Sequence, residues 1–272
     1  MKCPVWSMVV ACVWLVSFAA VSANAAETAK ESGSSGNQAA QANNPLANLK
    51  TFNLQNYYIS DLSGTDESAN QFWLRYAQPL STPFGNWLVR ASLPVSRVPV
   101  EDGTESGLGD ANAFAAYLFD TGKPSLSLGV GPLFGFPTAT DDALGTDQWS
   151  AGLAAVIFDA SHPTVQWGGL VTYQHKIGGS SRAPDVNFLA VQPFGIVQMG
   201  SGYYLRSTGI WAFNLETGDY SVPLGLGVGK VLKVGSTVLN AYVEPQYSIV
   251  DEGPNQPQFQ LFMGFNMQFY GL

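Results

Sequence analysis

From about Thr51 onward, apolar and polar residues alternate along segments of 10 to 15 residues, separated by clusters of Gly, Asp, Asn, Ser and Pro. A repeat of two places successive side chains on opposite faces, so each segment predicts a β-strand with one apolar face. Twelve segments can be counted, at about 50–60, 70–80, 85–95, 108–119, 124–136, 147–158, 164–176, 186–198, 202–214, 219–232, 236–249 and 257–270. No helical repeat of comparable length is present.

The faces read directly from the alternation. In the fifth segment Leu126, Leu128, Val130, Pro132, Phe134 and Phe136 share one side, and Ser125, Ser127, Gly129, Gly131 and Gly135 the other. In the second, Phe72, Leu74 and Tyr76 oppose Gln71 and Arg75, and in the ninth Tyr203, Leu205, Trp211 and Phe213 oppose Tyr204, Arg206 and Asn214. The last segment sets Phe259, Leu261, Met263, Phe265, Met267 and Phe269 against Gln260, Gly264, Asn266 and Gln268. These apolar sets are too large to fill a small barrel, and the opposite sets are too sparsely charged for a surface in water. Lipid outside and water inside fits both, and predicts an all-β fold: an antiparallel transmembrane β-barrel of twelve strands, the last closing against the first.

The connections support this reading. Those after the even segments are compact, such as Ser81 to Phe84 and Met199 to Ser201, while those after the odd segments are generally longer or more acidic, holding Asp66, Glu101, Asp141 and Asp251 among others. Short periplasmic turns and longer external loops are the asymmetry of an outer-membrane barrel, and an even strand count returns both ends to the periplasmic side. Trp87, Trp149, Trp167, Tyr203, Tyr220 and Phe269 lie near segment ends, where aromatic girdles belong, although strands are rich in aromatics generally. Gln192-Pro193 and the run Gly225, Gly227 and Gly229 blur the period and suggest bulges or bends, the glycines leaving room on the inner face.

Composition agrees. Only 12% of residues are charged, against about 25% in soluble domains. No apolar run after the N-terminal leader reaches the 18 or so residues of a membrane helix, so strands must do the crossing, and in lipid only a closed barrel satisfies their backbone. The formal net charge of −8 argues against nucleic acid as a partner. Residues 1–25 have the form of a signal peptide, with Lys2, an apolar stretch from Val9 to Val21 and the small-x-small site Ala23-Asn24-Ala25. Both cysteines, Cys3 and Cys12, fall inside it, which leaves the exported chain no disulfide or cysteine metal site. The next stretch, 26–48, begins with a run to Asn44 that is poor in large apolar residues and is expected to be a disordered periplasmic lead-in before a barrel over 49–272.

The chemistry-bearing residues are few. The alternation points Arg75, Arg90, Arg206 and Glu244 into the lumen at mid-strand, since an arginine facing lipid at mid-depth would cost about 2–4 kcal/mol. Two roles are open to them: salt bridges that fill a narrow lumen, or a constriction that selects solutes by charge and hydrogen bonding. Asp110 and Lys176 stand nearer strand ends. The two histidines, His162 and His175, have no third ligand at zinc spacing. His175 is close to Ser180 and Ser181, but such proximity in a Gly-Ser loop does not make a hydrolase, and no enzyme activity is expected. Gly225 to Lys230 lacks the spacing and the following Ser or Thr of a phosphate loop, so no cofactor and no ATP site is expected.

Ordered stretches along the chain resemble a known family: NPLANL at 44–49, GLGD at 107–110, GVGPLFGFPTATDDALGTDQWSAG at 129–152, WGGL at 167–170, DVNFLAVQPF at 185–194 and VPLGLGVGKVLKVG at 222–235. Together they are similar to the outer-membrane transporters of the "MetA-pathway of phenol degradation" family. The resemblance implies an outer-membrane barrel passing small, aromatic or otherwise hydrophobic compounds, and brings no catalytic residues with it. It would place the acidic loop Pro137 to Asp147 outside, as a mouth element or a solvated loop, with cation binding as the alternative. The expected partners are outer-membrane lipid, a small-molecule solute and the barrel insertion machinery, whose signal is left open because Phe269 is followed by Tyr270-Gly271-Leu272. A closed structural or adhesion barrel is the alternative function.

Overall fold

The computed structural model describes residues 41–182 and 184–269. The expected signal peptide and the final three residues lie outside them. The strands are β1 (Lys50–Leu62), β2 (Ala69–Thr82), β3 (Gly85–Val100), β4 (Gly103–Leu108), β5 (Ala111–Phe119), β6 (Leu126–Phe136), β7 (Gln148–Asp159) and β8 (Val165–Gly179). There follow β9 (Asn187–Gly200), β10 (Tyr203–Ser207), β11 (Trp211–Asn214), β12 (Tyr220–Gly225), β13 (Gly227–Val234), β14 (Thr237–Glu252) and β15 (Pro257–Phe269).

Three pairs of these are single staves with a short interruption: β4 with β5, β10 with β11, and β12 with β13. The result is a closed antiparallel barrel of twelve staves. Closure runs from β15 to β1, with Lys50 opposite Phe269 and Tyr58 opposite Leu261. Each backbone ladder thereby finds a partner on both sides, which is what lets strands sit in hydrocarbon. Most of the unbroken strands have 12 to 16 residues, ample for the about 9–11 that a tilted crossing needs.

The outward set is apolar and exposed on both halves of the wall, including Val130, Phe134, Leu153, Val171, Met263 and Phe265. So broad an apolar surface would be an aggregation hazard in water and is a lipid-facing band in a barrel. Aromatic pairs mark its two rims. Trp87 meets Tyr117 edge-on near the short turns, and Phe136 meets Trp149 edge-on at the long-loop end. Lys230 lies on the outer face near the short-turn rim and donates to the Tyr203 hydroxyl at 2.9 Å, a position that carries its ammonium to the headgroup region.

Two expectations are corrected. The stretch 96–107, read as a loop, is mostly strand: β3 runs on to Val100 and folds back as β4, pairing Val95–Val100 with Gly103–Leu108. Pro99 hides the alternation there, yet tolerates an edge position facing Thr104. The lead-in, expected to be disordered through residue 48, is seated in the short-turn end of the barrel from Gln41 on. Ala42, Leu46 and Leu49 are buried. Asn240 and Gln268 both donate to the Ala42 carbonyl, and Asn44 donates to the Ser127 hydroxyl at 3.0 Å. Leu46 packs with Leu88, Phe114, Ala116 and Leu133, so the few apolar residues of this segment bury themselves against the inner wall instead of needing a core of their own.

Candidate functional site

Two cavities of the lumen adjoin at mid-barrel, and a third, of about 220 Å³, continues past Asn112, Gln174 and Phe188 toward the long loops, where Asp110 and Asp185 line it. Of the adjoining two, one, of about 140 Å³, lies between the lead-in and mid-barrel, and the other, of about 370 Å³, opens toward the long-loop end. Arg75, Arg90, Leu170 and Gln192 line both and so mark the waist between them. All three inward arginines named from the sequence line the first cavity, while Glu244 is fully buried behind them.

Arg206 and Glu244 are joined. Arg206 Nε donates to Glu244 Oε2 at 2.7 Å, and the guanidinium lies over the Tyr242 ring at 3.5 Å. The two residues sit on β10 and β14, with β13 between them. Arg206 is paired with Gly227 across that gap, and a Cβ on Gly227 would collide with Glu244. The missing side chain is what lets the ion pair form over the intervening strand. Glu244 also serves the break between β10 and β11. Its carboxylate accepts from the Thr208 amide at 2.7 Å, the Thr208 hydroxyl at 2.7 Å and Gln246 Nε2 at 2.9 Å. Gln192 donates to the Thr208 carbonyl at 3.0 Å. Both backbone groups freed by the interrupted ladder are thus satisfied by side chains, and a buried carboxylate with four donors is well solvated by protein.

Arg75 and Arg90 are different. They stand diagonally on β2 and β3, Arg75 opposite Ser92 and Arg90 opposite Ala77. Arg75 donates to Gln55 through one terminal nitrogen, and its carbon lies 4.6 Å from the Trp73 ring. Arg90 lies 4.5 Å over Phe114 and has no hydrogen bond or ion pair among the described residues. The Nε atoms of both are buried without a partner, as are the Tyr57 hydroxyl and the Ser92 hydroxyl, and all four residues line the larger cavity. Trp73, Phe114, Leu133, Leu170 and Phe188 supply its apolar wall. No carboxylate lines either of the two cavities that meet at the waist.

The lumen also holds inward aromatics: Tyr204, which the alternation places inside, with Tyr57, Tyr242 and Phe262. Phe262 is 1% exposed, between inward Gln260 and Gly264, and stacks on Tyr57 at 4.3 Å. Tyr204 and Tyr242 fold over glycines of the neighbouring strands, Gly229 and Gly264, whose Cβ positions their rings occupy. The glycine run does leave room on the lumen face, and that room is taken by Tyr204, Glu244 and Gln246. Parity would have placed Phe262 inward; nothing in the sequence marks Thr208 or the seat of the lead-in.

The remaining candidates lie away from the waist. Asp110 organises the acidic loop, accepting from the amides of Ala139 and Thr146 and from the Thr146 hydroxyl. Asp141 caps the one-turn helix Asp142–Leu144 within that loop. The loop folds down on β4, with Thr140 bonded to Leu108, and no group of three or more potential ligands able to hold a metal occurs among the described residues. Lys176 pairs with Asp185 at 2.6 Å. His175 is exposed on the outer face of β8 in line with Val171 and Tyr173, and the Ser180 hydroxyl accepts from the Arg182 amide, so these residues form no nucleophile and base.

The fold is shared with outer-membrane channels of known structure. An outer-membrane channel from Pseudomonas putida F1 superposes with a TM-score of 0.58 at 14% identity, over 81% of this chain and 94% of that one. The NanC porin superposes with a TM-score of 0.50 at 10% identity, over 81% of this chain and all of that one. No protein-family model and no curated protein matches the sequence.

Proposed function

We propose that the protein is an outer-membrane channel for passive passage of small molecules with an aromatic or otherwise apolar body, in the manner implied by its resemblance to the "MetA-pathway of phenol degradation" transporters. The observation that carries the reading is the pair of adjoining lumen cavities, which meet at Arg75, Arg90, Leu170 and Gln192 and combine hydrogen-bonding groups with aromatic walls. A wall of this kind suits solutes with an apolar body and one polar group better than sugars, which need polar partners all round. The channel barrels that share the fold support the same reading.

The seated lead-in favours a second reading, a closed structural or adhesion barrel, because it occupies the short-turn end of the path. Planar-bilayer conductance decides between them. A channel gives discrete currents with the full chain, and removing residues 41–48 raises the conductance several-fold. A folded barrel silent with and without those residues, whose loss from the cell leaves uptake of small aromatic compounds unchanged, is a structural barrel.

A further inference from the structure

We infer that the waist selects organic anions: Arg75 and Arg90, with Tyr57 and Ser92, form a binding site for the carboxylate of a small solute whose apolar body lies against Trp73, Phe114 and Leu133. The inference rests on the channel reading and names the class of solute.

Three observations carry it. The first is uncompensated charge. Arg75 and Arg90 are like charges on adjacent strands, with no carboxylate on the wall of either cavity they line. Partly buried cations without an anion are costly, and the same barrel shows how it neutralises an arginine when neutralisation is the purpose, in the Arg206–Glu244 pair. The second is donor geometry. The buried Nε of each arginine is unused, and the hydroxyls of Tyr57 and Ser92, 5% and 4% exposed as residues, are also without partners while lining the same cavity. These groups can all donate, and an ionised carboxylate accepts through both oxygens. The third is rigidity. The rings of Trp73 and Phe114 lie under the two guanidinium groups, holding the forks in place and giving a solute's ring a surface to stack on.

A bilayer experiment with a gradient of benzylammonium benzoate reads the selectivity directly, because both ions carry the same ring and differ in the charged group. The purified barrel should pass benzoate at least about tenfold more readily than benzylammonium, the scale of one charge-assisted hydrogen bond, as read from the reversal potential. Replacing Arg75→Gln and Arg90→Gln together should bring the ratio close to one while the conductance persists. A ratio near one in the unaltered protein, or an unchanged ratio in the double variant, overturns the inference and leaves the channel reading standing. If the unaltered protein carries no current, the channel reading fails, and benzoate titration of the folded barrel in detergent decides the site: binding lost in the double variant upholds it, and no binding overturns it. Heat-modifiable migration confirms folding of each variant, and Arg90→Gln alone, which breaks no hydrogen bond, serves if the double variant does not fold.

Discussion

Arg206 and Arg90 lie in one lumen, on staves half a turn apart, yet their surroundings are opposite. Around Arg206 the barrel is finished: an ion pair, a hydrogen bond to Thr208 at 2.6 Å and an aromatic ring close off the guanidinium, and the same carboxylate repairs the broken ladder at Thr208. Around Arg90 no hydrogen bond or ion pair forms among the described residues; the Phe114 ring lies against it and it lines the cavity beyond. The difference separates a charge tied into the wall from a charge that faces an open cavity, within one lumen.

The largest test of that contrast is Glu244→Gln. It leaves Arg206 buried without its counter-ion and should cost about 3–5 kcal/mol, seen as unfolding in lipid vesicles at a lower urea concentration. Loss of less than about 1 kcal/mol would mean that Glu244 does not hold the wall. Next comes Leu153→Arg, which places an arginine on the outer face, where Leu153 is 59% exposed. It should cost about 2–4 kcal/mol if that face meets lipid, and nearly nothing if it meets water. The smallest effect belongs to Arg90→Gln, which breaks no hydrogen bond or ion pair and trades the Phe114 ring contact against relief of an uncompensated like charge, so it should lower stability by less than about 1 kcal/mol or raise it. A loss as large as that of Glu244→Gln would erase the distinction between the two arginines.

The sequence carried much of the wall. All twelve segments correspond to staves, and the outward row Phe259, Leu261, Met263, Phe265, Met267 and Phe269 runs along the closing strand. β3 runs beyond the alternation because Pro99 and Arg97 interrupt the apolar pattern past Val95, and from Val98 to Val100 the strand pairs with β4 alone. The seat of the lead-in is not legible in its composition, which cannot support a core of its own, because Leu46 joins one built by Leu88, Phe114 and Leu133 of strands farther along the chain. Parity sets all four charges on the inner side, but it treats Arg75, Arg90 and Arg206 alike.

By itself, then, the sequence determined the number of staves and, where the alternation is unbroken, the side of the wall on which a residue lies, because a period of two is a local property and a charge at mid-depth has one affordable side. Only the closed barrel decided which inward groups meet. Arg206 and Glu244 are 38 positions apart and touch because Gly227 presents no side chain between them. Arg75 and Arg90 face neutral neighbours across the same kind of ladder and stay unpaired. Pairing inside a barrel depends on stagger between strands and on what the intervening residue leaves open, and neither is written in the alternation of any one strand.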